Sequence, residues 1–65
     1  MIAYEFHRFA EAGLALDQET IVAIDDDQAR SFGEIILLCS NDTAFIEIYP
    51  PRGSVITLRR EDLCV

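Results

Sequence analysis

Two runs of alternating apolar residues near the C-terminus, residues 44–49 and 55–59, constrain the fold of this chain most. Successive side chains of a β-strand point to opposite faces, so this alternation is typical of strands that bury one face. Residues 50–54, between the two runs, contain prolines, a glycine and a serine, all of which are common in turns. The pattern therefore predicts an antiparallel hairpin.

The length of the connecting loop decides which residues pair across this hairpin. With a loop of five residues, Ile48 lies opposite Ile56 and Ile46 lies opposite Leu58, so the apolar side chains share one face. A loop of four residues would pair Glu47 with Ile56 and would mix polar and apolar side chains on both faces. We therefore predict the register that the longer loop gives.

A third apolar run, residues 35–39, extends the hairpin to a predicted antiparallel meander within residues 34–59. A two-residue turn at Asn41 and Asp42 would connect this run to the next strand. The pairs expected from that turn are Cys39 with Ala44, Leu37 with Ile46, and Ile35 with Ile48. One face of the meander would then be apolar throughout and form the core.

The opposite face of the predicted meander is also unusually apolar. A solvent-exposed face of an antiparallel sheet normally carries polar residues. This face would carry Ile36, Leu38, Phe45, Glu47, Tyr49, Val55, Thr57 and Arg59. We expect it to be covered by the N-terminal segment, by a second protomer or by a partner, and cover from within the chain is the favoured reading.

The N-terminal third fits two kinds of structure. Apolar residues recur at helical spacing and alanines are frequent, which favours a helix over residues 3–15, although residues 4–9 also fit a strand. Residues 20–24 fit a strand. Asp25 and Asp26 could then cap a short helix that runs to Phe32 and stops at Gly33. The overall prediction is a single small α+β domain, residues 1–65, in which one or two short helices pack on an antiparallel sheet.

The charge of the chain indicates what kind of partner it can bind. Twelve of its 65 residues are acidic, five are arginine and none is lysine, so the formal net charge is −7. Because 51% of the residues are hydrophobic, this charge belongs to a folded surface and not to a disordered tail. Such a surface repels nucleic acid and attracts basic protein grooves. Direct binding of nucleic acid is therefore not expected.

No motif in the sequence indicates catalysis, a cofactor or a metal. The run Asp25, Asp26, Asp27 lacks the glycine and the later glutamate of a calcium loop. His7 is the single histidine, and no serine, cysteine and acid are arranged around it as in a catalytic triad. Cys39 is expected in the core, and a disulfide between Cys39 and Cys64 has no support. The chain is predicted to be non-enzymatic.

The apolar runs are too short to cross a membrane, which takes about 20 residues. The N-terminus is too polar for a signal peptide, because Tyr4, Glu5, His7 and Arg8 interrupt it. We therefore expect a cytoplasmic protein, either a monomer or a weak dimer.

The carboxylates offer a surface that imitates nucleic acid. Double-stranded DNA carries one negative charge per roughly 1.7 Å of its axis, and proteins that bind it present lysine and arginine. A rigid domain with carboxylates along one flank could occupy the same groove. The carboxylates expected to cluster around one end of the domain are Asp17, Glu19, Asp25, Asp26, Asp27 and Glu34. Tyr49 and Glu47 are expected to add an aromatic anchor and an acidic rim.

The chain is small, acidic and of α/β character, it contains the run Asp25, Asp26, Asp27, and it has no enzymatic motif. In these features it resembles the small acidic anti-CRISPR proteins of phages and mobile elements. The resemblance is to those that inhibit type I effector complexes. It is an overall resemblance, because that group shares no defining motif and no residue role can be transferred. It implies binding to the DNA-recruiting surface of the effector and blocking of target DNA.

A second hypothesis is a protein-interaction module, such as an antitoxin or a small complex subunit. In that case the apolar sheet face binds the partner, and the acidity serves solubility. Salt discriminates between the two hypotheses, because it weakens a charge-driven complex and has little effect on an apolar one.

Overall fold

The computed structural model of the protein describes residues 1–63 and has four antiparallel strands with one α-helix packed across one face of the sheet. This arrangement confirms the predicted α+β class. The spatial order of the strands is β2-β1-β3-β4. The elements are β1 Ile2–Phe9, β2 Ala15–Ala23, α1 Asp26–Cys39, β3 Phe45–Tyr49 and β4 Ile56–Arg59, with short 3-10 turns at Glu11–Gly13 and Arg60–Asp62.

The predicted hairpin of β3 and β4 is confirmed together with its register. Ile48 pairs with Ile56, and Ile46 pairs with Leu58. Ile46, Ile48 and Leu58 are buried against the helix, and Ile56 is half-buried at their edge. The alternation of these residues was sufficient to predict the pairing because a shift by one residue would expose the whole apolar set.

The predicted helix over residues 3–15 is wrong, because this stretch forms β1, the turn after it and the start of β2. Tyr4 and Phe6 alternate with exposed residues on β1 and are fully buried beneath α1. The strand lies inside the sheet and pairs with β2 on one side and β3 on the other. Hydrogen bonds to two neighbours outweigh the helix propensity of the alanines, which is a weak local preference.

Helix α1 begins as the sequence predicted, but it is twice as long. The Asp25 side chain caps it by accepting a hydrogen bond of 2.8 Å from the Gln28 backbone N–H. The helix then continues through Gly33 to Cys39, so the predicted strand over residues 35–39 and its pairing with β3 are wrong. A short apolar run fits a helix and a strand equally well, and here the stripe of Ala29, Gly33 and Leu37 faces the sheet.

Gly33 lies where the helix comes closest to the sheet. A Cβ atom built there would be 2.6 Å from Leu58 Cδ1 and 3.1 Å from Ile48 Cδ1. The glycine therefore serves close packing and does not end the helix. Because the helix continues, Ile35 and Leu38 lie on its solvent side with more than half of their surface exposed, and Cys39 is exposed instead of buried in the core. Cys64 lies outside the described residues.

The face of the sheet opposite α1 is open. Nothing in residues 1–63 packs across it, so the expectation of a cover from within the chain is wrong for the described part. Tyr49 and Val55 are 37% and 45% exposed. Ile36 and Leu38, which were expected on this face, belong to the helix instead. The core is a single layer between α1 and the sheet, made of Tyr4, Phe6, Ala23, Ala29, Leu37, Ile46, Ile48 and Leu58.

Candidate partner-binding surfaces

Asp17 and Glu19 lie on β2, on the side of the sheet that carries the helix. Their cross-strand partners on β1 are Arg8 and Phe6. The side chain of Asp17 accepts two hydrogen bonds from the Arg8 guanidinium, of 2.8 and 2.6 Å, and this pairing lowers the pKa of Asp17. Glu19 is exposed, and no residue of the described chain forms a hydrogen bond with its side chain. Glu19 is therefore the freer of these two carboxylates.

Arg8 connects three parts of the fold. Besides Asp17, its guanidinium donates to Thr43 Oγ1 at 3.0 Å and to Ser40 Oγ at 3.4 Å, and it lies 3.6 Å from the carboxylate of Asp42. These contacts fasten the end of α1 and the loop after it to the centre of the sheet. Asp17, which the sequence predicts as a partner-binding residue, thus also has a structural role.

The three consecutive aspartates at the start of α1 have different roles. Asp25 caps the helix, and Asp26 accepts a hydrogen bond of 2.6 Å from the buried Tyr4 hydroxyl. The side chain of Asp27 is exposed and has no hydrogen bond within the described chain. Acidic residues in the first turn also interact favourably with the helix dipole. Among the three, Asp27 is the carboxylate that can bind a partner without loss of a structural contact.

The bond between Tyr4 and Asp26 gives a prediction for alkaline pH. Hydrogen bonding to Asp26, with burial and the neighbouring charges, raises the pKa of Tyr4 from 10.0 to about 12. A group whose pKa is raised by folding stabilises the fold fully below its unfolded pKa, and the contribution disappears as the pH rises through the folded pKa. The stability difference between wild type and Tyr4→Phe should thus be constant below pH 10 and shrink between pH 10 and about 12.

Urea unfolding at a series of alkaline pH values measures this difference. Tyr49→Phe serves as a comparison at an exposed tyrosine. Tyr49 is also bonded to a carboxylate and its pKa is also raised, so the difference between wild type and this variant should change in the same direction. A difference between wild type and Tyr4→Phe that stays constant up to pH 12 would contradict the assignment.

The predicted carboxylates do not cluster at one end of the domain. Asp17 lies near the start of β2, and the aspartates of α1 follow its end at Ala23. Ala23 lies six steps along the strand from Asp17, a length of about 20 Å at roughly 3.3 Å per residue. Glu34 is half-buried in the middle of α1. We call Asp17, Glu19, Asp25, Asp26 and Asp27 the acidic flank, since they extend along β2 and around the start of α1.

Glu47 and Tyr49, the other two predicted binding residues, lie on the open face of the sheet. The Tyr49 hydroxyl donates a hydrogen bond of 2.6 Å to Glu47, and the Tyr49 ring lies 4.6 Å from the His7 ring on β1. His7 Nε2 is 3.2 Å from a carboxylate oxygen of Glu5. The hydrogen bond to Glu47 raises the pKa of Tyr49, and the charge of Glu5 contributes to the shift.

A second aromatic pair on the open face was not predicted from the sequence. Phe9 and Phe45 pair across β1 and β3, and their rings stack with centroids 4.8 Å apart. The Arg59 guanidinium of β4 lies over the Phe45 ring, 5.2 Å from its centroid. The sequence pattern also fits a strand over residues 4–9, and in that alternative Glu5, His7 and Phe9 point to the outer face. That alternative would therefore have placed Phe9 on this face.

A depression of the described surface lies near the end of α1. Its lining includes Glu11, Thr43, Phe45, Arg60 and Glu61. The Arg60 guanidinium donates hydrogen bonds to the backbone carbonyls of Ser40 and Thr43, so it is engaged in holding the chain that follows the helix. The depression is open, and its Arg60 serves the fold.

Within residues 1–63, no group of three or more histidine, cysteine or acidic side chains is placed as metal binding would require. The helix is too short to span a bilayer. Comparisons with protein-family models, curated proteins and solved structures found no significant match to this chain.

Proposed function

We propose that this chain is a non-enzymatic acidic inhibitor that occupies a basic, nucleic-acid-binding surface of a partner complex. The observation that supports this most is the shortage of cations near its carboxylates. The ion pairs within residues 1–63 involve three of the twelve acidic residues, namely Glu5, Asp17 and Asp42. The other nine have no cationic side chain within 4 Å in the described chain, and their charge remains available for a partner.

The physical basis of binding is electrostatic complementarity. A basic groove that normally binds phosphates also attracts carboxylates. Opposite electrostatic potentials on the two proteins increase their rate of association. The acidic flank displays its carboxylates along most of β2 and around the start of α1, on a single rigid sheet and helix. A rigid surface loses little conformational entropy on binding. The favourable electrostatic free energy is therefore offset less, and the affinity is higher.

The specific form of the proposal follows from the resemblance to anti-CRISPR proteins. The partner would be a type I CRISPR effector complex in the cytoplasm of the host cell, and the chain would prevent this complex from binding its target DNA. No cofactor takes part, and the chain would act as a monomer or weak dimer. Nucleic acid itself is excluded as the ligand, because the net charge of −7 repels phosphates.

Competition for target DNA tests this function directly. A purified type I effector is incubated with labelled target duplex in an electrophoretic mobility assay, with and without the chain. We expect the chain to abolish the shifted band at about 0.1 M salt and to lose most of this effect at about 0.5 M, because added salt shortens the screening length. Undiminished DNA binding at the lower salt concentration would reject the effector as the partner.

Two charge-reversed variants locate the surface that acts. Glu19→Lys with Asp27→Lys changes the free carboxylates of the acidic flank, and Glu61→Lys with Asp62→Lys changes two exposed carboxylates in the last 3-10 turn. In each pair, two substitutions of two charge units move the net charge from −7 to −3. We expect the first pair to inhibit at least tenfold less than the second, since a tenfold change corresponds to about 1.4 kcal/mol.

The choice of residues follows from the fold. Asp25 and Asp26 are left unchanged because they cap the helix and bind Tyr4, so their reversal would destabilise the domain as well as remove charge. Thermal unfolding of both variants checks that they are folded. Equal loss of inhibition in the two pairs would mean that net charge alone acts and that the flank is not a specific surface.

The open face of the sheet favours a second candidate function, a protein-interaction module. The face carries two aromatic pairs, and no part of the described chain covers it. A complex formed through apolar contact there would persist at both salt concentrations. Persistence of the complex at about 0.5 M salt, together with its loss in Phe45→Ser, would favour this candidate over the first.

A further inference from the structure

The geometry of the open sheet face points to a binding site for arginine side chains of a basic partner, centred on Tyr49. This inference rests on the proposed function, because it names the group on the basic surface that the chain recognises. The site consists of the paired rings of Tyr49 and His7 and the carboxylates of Glu47 and Glu5, and we call it the Tyr49 site.

The backbone holds the Tyr49 site rigidly. Its residues lie on β1 and β3, the two inner strands, where Glu5 pairs with Tyr49 and His7 pairs with Glu47. Four side chains therefore project side by side from adjacent strands. Directly opposite residues have Cβ atoms about 5 Å apart, which places rings and carboxylates within reach of one bound group. The helix packs on the reverse side of the same strands and leaves this face free.

The carboxylates of the site are positioned by the rings. Glu47 accepts the Tyr49 hydroxyl hydrogen bond at 2.6 Å, and Glu5 lies 3.2 Å from His7 Nε2. A carboxylate has two oxygens and about four lone-pair positions, so each retains acceptor capacity after one such contact. Glu5 is exposed, and Glu47 is half-buried between its neighbours. One oxygen of each carboxylate thus lies in contact with a ring of the site.

A guanidinium matches this arrangement better than an ammonium does. It is planar, so it can stack on an aromatic ring while its edge donates paired hydrogen bonds to a carboxylate. The open face already contains one such contact, because the chain's own Arg59 lies over Phe45. Among the described residues, the rings of Tyr49 and His7 have no arginine in that position. The Tyr49 site thus offers an arginine of a partner the kind of contact that Arg59 makes with Phe45.

Other occupants fit the site less well. Aromatic residues on a sheet can stack nucleic-acid bases, but that function is accompanied by basic residues that bind the phosphates. Here Glu5 and Glu47 flank the rings, and the whole chain carries −7. A second copy of the chain would bring the same net charge and would be repelled at low salt. A basic protein surface is the occupant whose charge complements the site.

Two peptides of equal charge test the inference, hexa-arginine and hexa-lysine, measured by isothermal titration calorimetry at about 0.1 M salt. The two peptides carry the same charge, so their general attraction to the acidic chain is the same. The difference between their affinities therefore measures stacking and paired hydrogen bonds. We expect hexa-arginine to bind about fivefold more tightly, which corresponds to about 1 kcal/mol, a typical cation–π energy at an exposed site.

Variants test whether the preference for arginine depends on the Tyr49 site. Tyr49→Leu removes the ring and should abolish the preference for arginine, whereas Tyr49→Phe keeps the ring and should retain most of it. Glu47→Gln should reduce the preference, and the control Glu61→Gln, which makes the same change of charge on an exposed residue elsewhere, should leave it unchanged. Thermal unfolding verifies that each variant is folded.

The remaining outcomes overturn the inference. Equal affinity of the wild type for the two peptides would do so, as would a preference for arginine that survives Tyr49→Leu. Binding of a single-stranded oligonucleotide that depends on Tyr49 would make the face a nucleic-acid site. A dimer in sedimentation analysis that Tyr49→Leu dissociates would make it a self-association surface. Inhibition of the effector with no preference between the peptides would leave the proposed function intact and reject this site alone.

Discussion

Replacement of Ile46 by Asp is expected to abolish the folded state. Ile46 is fully buried on β3, between α1 and the sheet, in the single core layer. A carboxylate there would lose its hydration without a partner, and this costs several kcal/mol even if the group becomes protonated. A small domain has a total stability of roughly 5 kcal/mol, so one such change removes most of it. Circular dichroism and one-dimensional NMR should show an unfolded chain.

Thr57→Asp is the matched control for this substitution. Thr57 lies on β4, points to the open face and is exposed. The variant adds the same charge to the same sheet, so it separates burial from net charge. We expect a loss of about 1 kcal/mol or less, because the new carboxylate would lie opposite Glu47, and like charges in that position are mildly destabilising. A well-folded Ile46→Asp variant would show that the face assignment of β3 is wrong.

Gly33→Leu is expected to have the second largest effect, a loss of about 3 kcal/mol in the free energy of unfolding. A Cβ at this position would already lie 2.6 Å from Leu58 Cδ1, and the remaining carbons would extend into a filled layer. The helix would have to move away from the sheet, which weakens its other contacts. Glycine itself is unfavourable in a helix by about 1 kcal/mol, so the gain in helix propensity offsets only part of the loss. Urea unfolding measures the difference.

Two comparisons separate crowding from other causes. Ser31→Leu places the same side chain at an exposed position of the same helix and should be close to neutral. Gly33→Ala combined with Leu58→Ala should be less destabilising than the sum of its single variants, because the added methyl group enters the space that the shortened side chain leaves. If the stability losses of the two single variants simply add in the double variant, Gly33 and Leu58 do not contact each other.

The two surfaces have separable roles in the proposed function. The acidic flank, with Glu19 and Asp27 as its free carboxylates, provides long-range attraction, whereas the Tyr49 site provides short-range recognition of arginine. Several carboxylates that the sequence marks as candidates also maintain the fold: Asp17 binds Arg8, Asp25 caps the helix and Asp26 binds Tyr4. Substitutions at those positions test stability and binding together, and this is why the designed variants avoid them.

The candidate site could be predicted from the sequence in part. The acidic residues and the pair Glu47 and Tyr49 were recognised because charge and strand alternation are visible along a chain. Their neighbours on the open face were not, because His7 and Phe9 reach Tyr49 and Phe45 only through the pairing of β1 with β3. That pairing joins segments about forty residues apart, and no local pattern encodes it.

Two elements could be predicted from local signals in the chain. Alternation specified the β3–β4 hairpin and its register, since any slip exposes the apolar face, and the Asp25 cap specified where α1 begins. The secondary structure of the ambiguous segments, in contrast, depends on contacts between distant parts of the chain. Residues 35–39 are helical because Gly33 lets α1 lie close enough to the sheet for Leu37 to be buried. Residues 2–9 form a strand because two neighbours complete its hydrogen bonds, a gain that exceeds intrinsic helix propensity.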